Sequence, residues 1–87
     1  MKIEKVIVSK NRSEKIFKKH NVTIEKIEEI LLNDNPIYFR TRDNKYLSVG
    51  RFDEYITIIF RKEKNNANII TAYQSSKWQI KLYKRKK

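Results

Sequence analysis

Eighty-seven residues with no cysteine, one histidine, one glycine and one proline exclude two domains, a disulfide framework and a thiolate zinc site. Charge is the informative quantity: 21 Lys and Arg against 10 Asp and Glu give a formal +11, which on so small a surface calls for RNA, DNA, an anionic membrane or an acidic protein as partner. The excess grows along the chain, until residues 77–87 hold six cations and no carboxylate.

Without a Gly- or Pro-rich linker or an internal repeat, residues 1–87 read as one domain. The apolar run Val6 to Val8 is far too short for a signal segment or a membrane span, so a soluble, cytoplasmic protein is expected, and the run itself reads as a short strand. "NRSEKIFKKH" places Asn11 three residues before Glu14 as a variant capping box, and a short helix over residues 12–19 follows. "TIEKIEEILLN" starts with Thr23 as N-cap and Glu25 in the first turn, puts Ile24, Ile27, Ile30 and Leu31 on one face, and stops between Asn33 and Pro36.

Strands come next. "IYFRTR", an Asp43-Asn44 turn and "KYLSVGRF" form one hairpin; "YITIIFRK" and "ANIITAY" form another around residues 64–66. Leu47, Val49, Ile56, Ile58 and Phe60 alternate as a core-facing set should. In the tail, Trp78, Ile80 and Leu82 alternate at strand period, while the pairs Trp78 with Leu82 and Ile80 with Tyr83 also fit a helix that Ser75 or Ser76 could cap. If helical, the tail sets Lys77, Lys81 and Lys84 on one stripe and turns Trp78 and Leu82 inward.

The ordered segments "KKHNVTIEKIEEILLND", "YLSVGRF", "YITIIF" and "NIITAY" resemble the BrnT toxins and related small RelE-like ribonucleases over roughly residues 15–83. In that pattern Lys-His-x-Val and a Thr or Ser precede an amphipathic helix, Gly-Arg closes the second strand of the meander, and Ile-Thr-Ala closes the last. Two departures stand out. Tyr73 follows the final Ala where the family usually has arginine, and the tryptophan and aspartate common near the BrnT N-terminus are absent. The expected fold is therefore α+β and RelE-like: a short N-terminal strand, two helices packed on an antiparallel sheet of about four strands, and a short basic C-terminal helix or extension.

The resemblance implies metal-independent endonucleolytic cleavage of mRNA, on or off the ribosome, by a toxin paired with an acidic antitoxin protein and needing no cofactor. Such chemistry needs a base for the ribose 2′-OH, cations for the phosphorane charge and an acid for the 5′-oxygen. Four residues are candidates. His20 is the one imidazole of the chain and so the obvious proton-transfer candidate, although it also suits the C-terminal end of a helix as a plain cation. Arg51 continues the parity of Leu47 and Val49, so its guanidinium needs an anion, either the scissile phosphate or a carboxylate such as Asp53 or Glu54. Tyr73 could bond the phosphate or orient the 2′-OH, and Lys77 could restore the charge that the missing arginine would carry.

Basic residues interleaved with aromatics suit RNA, since cations hold the backbone and rings stack on bases. Arg40, Arg42, Arg61, Thr71, Lys81, Tyr83, Lys84 and Arg85 are the candidates for that role, with an ordinary solvated face as the alternative for each arginine. A non-catalytic nucleic-acid-binding module on the same fold is the competing function. A membrane-surface role is disfavoured because no segment joins a basic helix face to a broad exposed apolar one.

Overall fold

The computed structural model describes residues 1–86. Its elements in chain order are β1 (Lys5–Ile7), α1 (Lys10–His20), α2 (Ile24–Glu28), β2 (Ile37–Arg40), β3 (Lys45–Phe52), β4 (Glu54–Glu63), β5 (Asn66–Gln74) and α3 (Lys77–Lys86). The strands form one sheet in the order β1-β5-β4-β3-β2. β2 to β5 are an antiparallel meander, and β1 joins the edge of β5 in parallel, pairing only with residues 66–68. The architecture is the expected α+β one, with a fifth strand. The tail is a helix.

α1 begins two residues earlier than the Asn11–Glu14 spacing suggests. Ser9 is the N-cap and its hydroxyl accepts from Arg12 N at 3.1 Å, a bond worth about 1 kcal/mol. The helix ends on Asn21 in the left-handed region (φ 57°), whose N–H bonds the Phe17 carbonyl. Thr23 caps α2 as expected, accepting from Lys26 N. α2 then runs into one π-helical turn, Glu29–Asn33, closed by Asp34 N to Glu29 O at 3.0 Å.

α1, α2 and the π turn cover one face of the sheet, burying Ile16, Ile27, Ile30 and Leu31 against Ile56, Ile58, Phe60, Ile69 and Ala72. Each fully buried Ile or Phe side chain contributes roughly 1.5–3 kcal/mol. Leu47 and Val49 do not belong to this face. β3 pairs Val49 with Thr57 and Ser48 with Ile58, so the two alternations run out of phase and Leu47, Val49 and Arg51 look toward the other face with Tyr55 and Thr57. Alternation within a strand is local, whereas the phase between strands is set by the turn, here one residue, Asp53, at φ 66°.

α3 packs over that second face, so the helices are not all on one side: Gln79 bonds Thr57, a residue facing away from α1 and α2. Trp78 corrects a second expectation, being 58% exposed rather than packed inward. Gln79 is the buried residue of α3, and its neighbour one step back on the helix is turned about 100° away. Among the described residues no helix is long and apolar enough to cross a membrane.

Gly50 is where β3 meets the π turn. A Cβ there would lie 2.4 Å from Ile30 Cγ2 and 3.0 Å from Pro36 Cβ, so only glycine lets the strand approach this closely. The next N–H, that of Arg51, extends past the end of β2 and bonds Asp34 Oδ2 at 3.1 Å instead.

Candidate active site

β5 carries a one-residue bulge at Ile70: Ile69 pairs with Phe60 but Thr71 pairs with Ile59. Ile69 thus faces the core while Thr71 and Tyr73 turn to the α3 side. There Tyr73 meets a buried polar network. Ser76 precedes the first turn of α3, and Gln79 Oε1 reaches back to Ser76 N at 2.8 Å, half of a capping box. The same oxygen accepts from Thr57 Oγ1 at 2.9 Å, Thr57 Oγ1 lies 2.7 Å from Ser75 Oγ, and Gln79 Nε2 donates to Tyr73 OH at 3.1 Å.

The directions of these bonds follow from one donor. Ser76 N–H can only donate, so the Gln79 atom facing it is the oxygen, and the amide nitrogen must face Tyr73. Thr57 spends its single proton on Gln79, so Ser75 donates to Thr57. The Tyr73 oxygen is an acceptor toward Gln79, which leaves its own proton for a group outside the network. Thr57 and Gln79 are 0% and 3% exposed, and each of their side-chain polar atoms has a neutral partner within the cluster, so no charge is needed to satisfy it.

His20 arrives at the same place from α1. Its carbonyl accepts from Gln74 Nε2 at 2.6 Å, tying the end of α1 to the end of β5, and its half-buried ring lies 6.0 Å from the Tyr73 ring, tilted by 52°. His20 also stands at the end of an open groove of about 720 Å³ between α1 and the stretch of β5 that β1 leaves uncovered. Arg12, Lys15, Lys18, Lys19 and Thr71 line it, and Arg12 Nη1 bonds the Ile69 carbonyl on the strand edge.

Arg51 forms a second cluster. Its guanidinium carbon lies 5.2 Å above the Tyr55 ring, Tyr83 meets Tyr55 edge-on at 5.6 Å, and Lys84 Nζ is 5.9 Å from the same ring. Burial, followed by the nearby charge of Asp34, pushes the Tyr83 phenol above its ordinary value. Neither Asp53 nor Glu54 pairs with Arg51; among the described residues the one ion pair is Lys26 with Glu54 at 2.6 Å. No three His, Cys, Asp or Glu side chains among the described residues gather as a metal site requires.

No family model matches this sequence, and none of the curated proteins matches it at a significant level. The fold is similar to the crystal structure of the Brucella abortus ribonuclease toxin, BrnT, with a TM-score of 0.69 over 84% of this chain and 97% of that one, at 19% identity. The chain has the BrnT fold.

On this BrnT fold the four proposed catalytic residues share one end of the sheet but not one point. His20 and Tyr73 are neighbours, with Thr71 in the adjoining groove. Lys77 is exposed at the first turn of α3, close in sequence to the network. Arg51 is on β3, two strand spacings or roughly 10 Å across the sheet from Tyr73, together with Tyr83 and Lys84. Lys81 and Arg85 are exposed on α3.

Arg40, Arg42 and Arg61 lie toward the other end of the BrnT sheet. Arg40 bonds Asn44 Oδ1, Arg42 falls in the turn after β2 rather than on the strand with Tyr38, and Arg61 pairs with Lys45. Register sets Arg40 and Arg61 on opposite faces, so they form no common patch. Sequence reasoning missed Gln79, Thr57 and the cations of α1. The Ser76-x-x-Gln79 spacing is the signal that could have found the first.

Proposed function

We propose that this chain is a toxin-like endoribonuclease that cuts mRNA in the cytoplasm without a metal, and that an acidic antitoxin protein restrains it. The observation that carries the reading is the juxtaposition of His20 and Tyr73 at the end of a cation-lined groove, on the fold of a ribonuclease toxin. His20 takes the proton of a ribose 2′-OH, the freed oxygen attacks the adjacent phosphorus, and the bond to the 5′-oxygen breaks. Tyr73, its proton directed out of the network by Gln79, protonates that oxygen, and the His20 imidazolium returns a proton to the phenolate. The products are a 2′,3′-cyclic phosphate and a 5′-OH.

Lys77 supplies charge beside the phosphorane in place of the arginine that the BrnT toxins have after the final Ala. Arg51, its guanidinium stacked on Tyr55 and in an ion pair with no carboxylate among the described residues, holds a phosphate of the bound strand, and Tyr83, Lys84, Lys81, Arg85 and Thr71 extend that contact. Arg40, Arg42 and Arg61 attract RNA at longer range. An antitoxin of opposite charge would cover the groove and the α3 cations together.

The test is incubation of purified protein with a long mRNA in EDTA, with and without ribosomes, mapping new ends beside His20→Ala and Arg51→Ala. Cuts ending in cyclic phosphate, lost with His20→Ala, are expected. RNA that is bound at low salt yet stays intact in both settings would make the chain a binding module instead.

A further inference from the structure

Trp78 is the largest exposed apolar side chain of the molecule, 58% exposed on a helix that has an inward face available to it. The cause is the buried amide next to it. Gln79 must face Thr57 and Tyr73 to complete its hydrogen bonds, and this fixes the rotation of α3 about its axis. Trp78 is thereby held outward at the start of the helix. At 100° per residue Arg85 lies almost directly above it, about 10 Å along the axis, with Lys81 between them and to one side. All three are exposed, and α3 contains no carboxylate.

We propose that Trp78 is a stacking platform for an unpaired base of single-stranded RNA, with Lys81 and Arg85 holding the phosphates that follow along α3. An indole ring is a broad π-face that accepts any base, and cations in line with it fix the backbone. Carboxylates of an acidic protein would satisfy the cations but offer the indole no π-face, whereas a single strand of RNA supplies both phosphates and bases. The placement deepens the proposed function: Trp78 adjoins Gln79, so a strand threaded past Tyr73 brings a flanking nucleotide onto it.

Trp78 is the sole tryptophan of the chain beside five tyrosines, so fluorescence excited on the red edge of the indole band, where tyrosine does not absorb, reports on this residue alone. The probe is a fluorophore-labelled uridine-rich 2′-O-methyl oligonucleotide, which lacks the 2′-OH and cannot be cut; binding is followed by anisotropy. Titration should quench Trp78 in parallel with the anisotropy rise. Trp78→Ala should weaken binding about tenfold or more, and Trp78→Phe by less, since a smaller ring still stacks. Binding without quenching, no binding, affinity within twofold for Trp78→Ala, or equal quenching by poly-glutamate would each overturn the proposal. Because the probe is not a substrate, cleavage of mRNA with a silent Trp78 would sink this inference and leave the ribonuclease standing, and quenching without cleavage would do the reverse.

Discussion

Gln79 Nε2 donates to the Tyr73 oxygen at 3.1 Å, and the direction of that bond decides where the tyrosine's own proton points. It follows from Ser76, whose N–H fixes the orientation of the Gln79 amide. A helix cap, a buried strand threonine and a tyrosine at the site are thus one hydrogen-bonded unit.

Replacing Gln79 by Glu keeps an acceptor for Ser76 N–H and Thr57 but removes the donor to Tyr73. The carboxylate then accepts the phenolic proton and withdraws it from the site. Cleavage should fall about tenfold or more for Gln79→Glu. Gln79→Met, which leaves Ser76 N–H and the Thr57 hydroxyl unmet, should cost about 1–3 kcal/mol in urea denaturation.

Tyr73→Phe removes one oxygen from the site, and the isolated loss of general-acid catalysis should be about a hundredfold in kcat with little change in KM. His20→Ala should show a similar loss. Because both serve one proton path, the double variant should lose far less than the product of the two, as single-turnover rates would reveal.

Gly50→Ala drives a methyl into Ile30 Cγ2, which sits on the buried face of the π turn with no room to retreat. Overpacking of this kind should lower stability by about 1–3 kcal/mol, read as a shift in the urea midpoint at unchanged slope.

Tyr38 is half-buried with its ring edge-on to Phe60 at 6.2 Å, and burial raises its phenol above 10.0. The folded state therefore keeps the proton longer than the unfolded chain. Its contribution to stability is fully present below pH 10 and is lost as pH rises through the folded value. Tyr38→Phe should flatten this alkaline fall, measured as the urea midpoint between about pH 9 and pH 11.

With one ion pair among the described residues and a formal charge of +11, the cations are left to solvent or to a polyanion. Five phosphate contacts on a single strand would give a slope of about −3.5 in log affinity against log salt, and so about a hundredfold weakening between roughly 50 and 200 mM salt. A slope near zero would show that the charge does not carry binding.

The amino-acid sequence by itself determined the charge and most of the elements, but left the tail between strand and helix. The Thr23 cap, the amphipathic run behind it, the Asp43-Asn44 turn with both residues at positive φ and the β-branched strands are local signals, each readable within a few residues. The ordered motifs also led to the fold. What the tertiary structure decided is phase. The hairpin at Asp53 set Val49 against Thr57, the bulge at Ile70 turned Tyr73 away from the face of Ile69, and Gln79 rotated α3 so that Trp78 looks outward. Such choices depend on which hydrogen-bonding groups can be buried together across elements distant in sequence, and no pattern within one element carries that information.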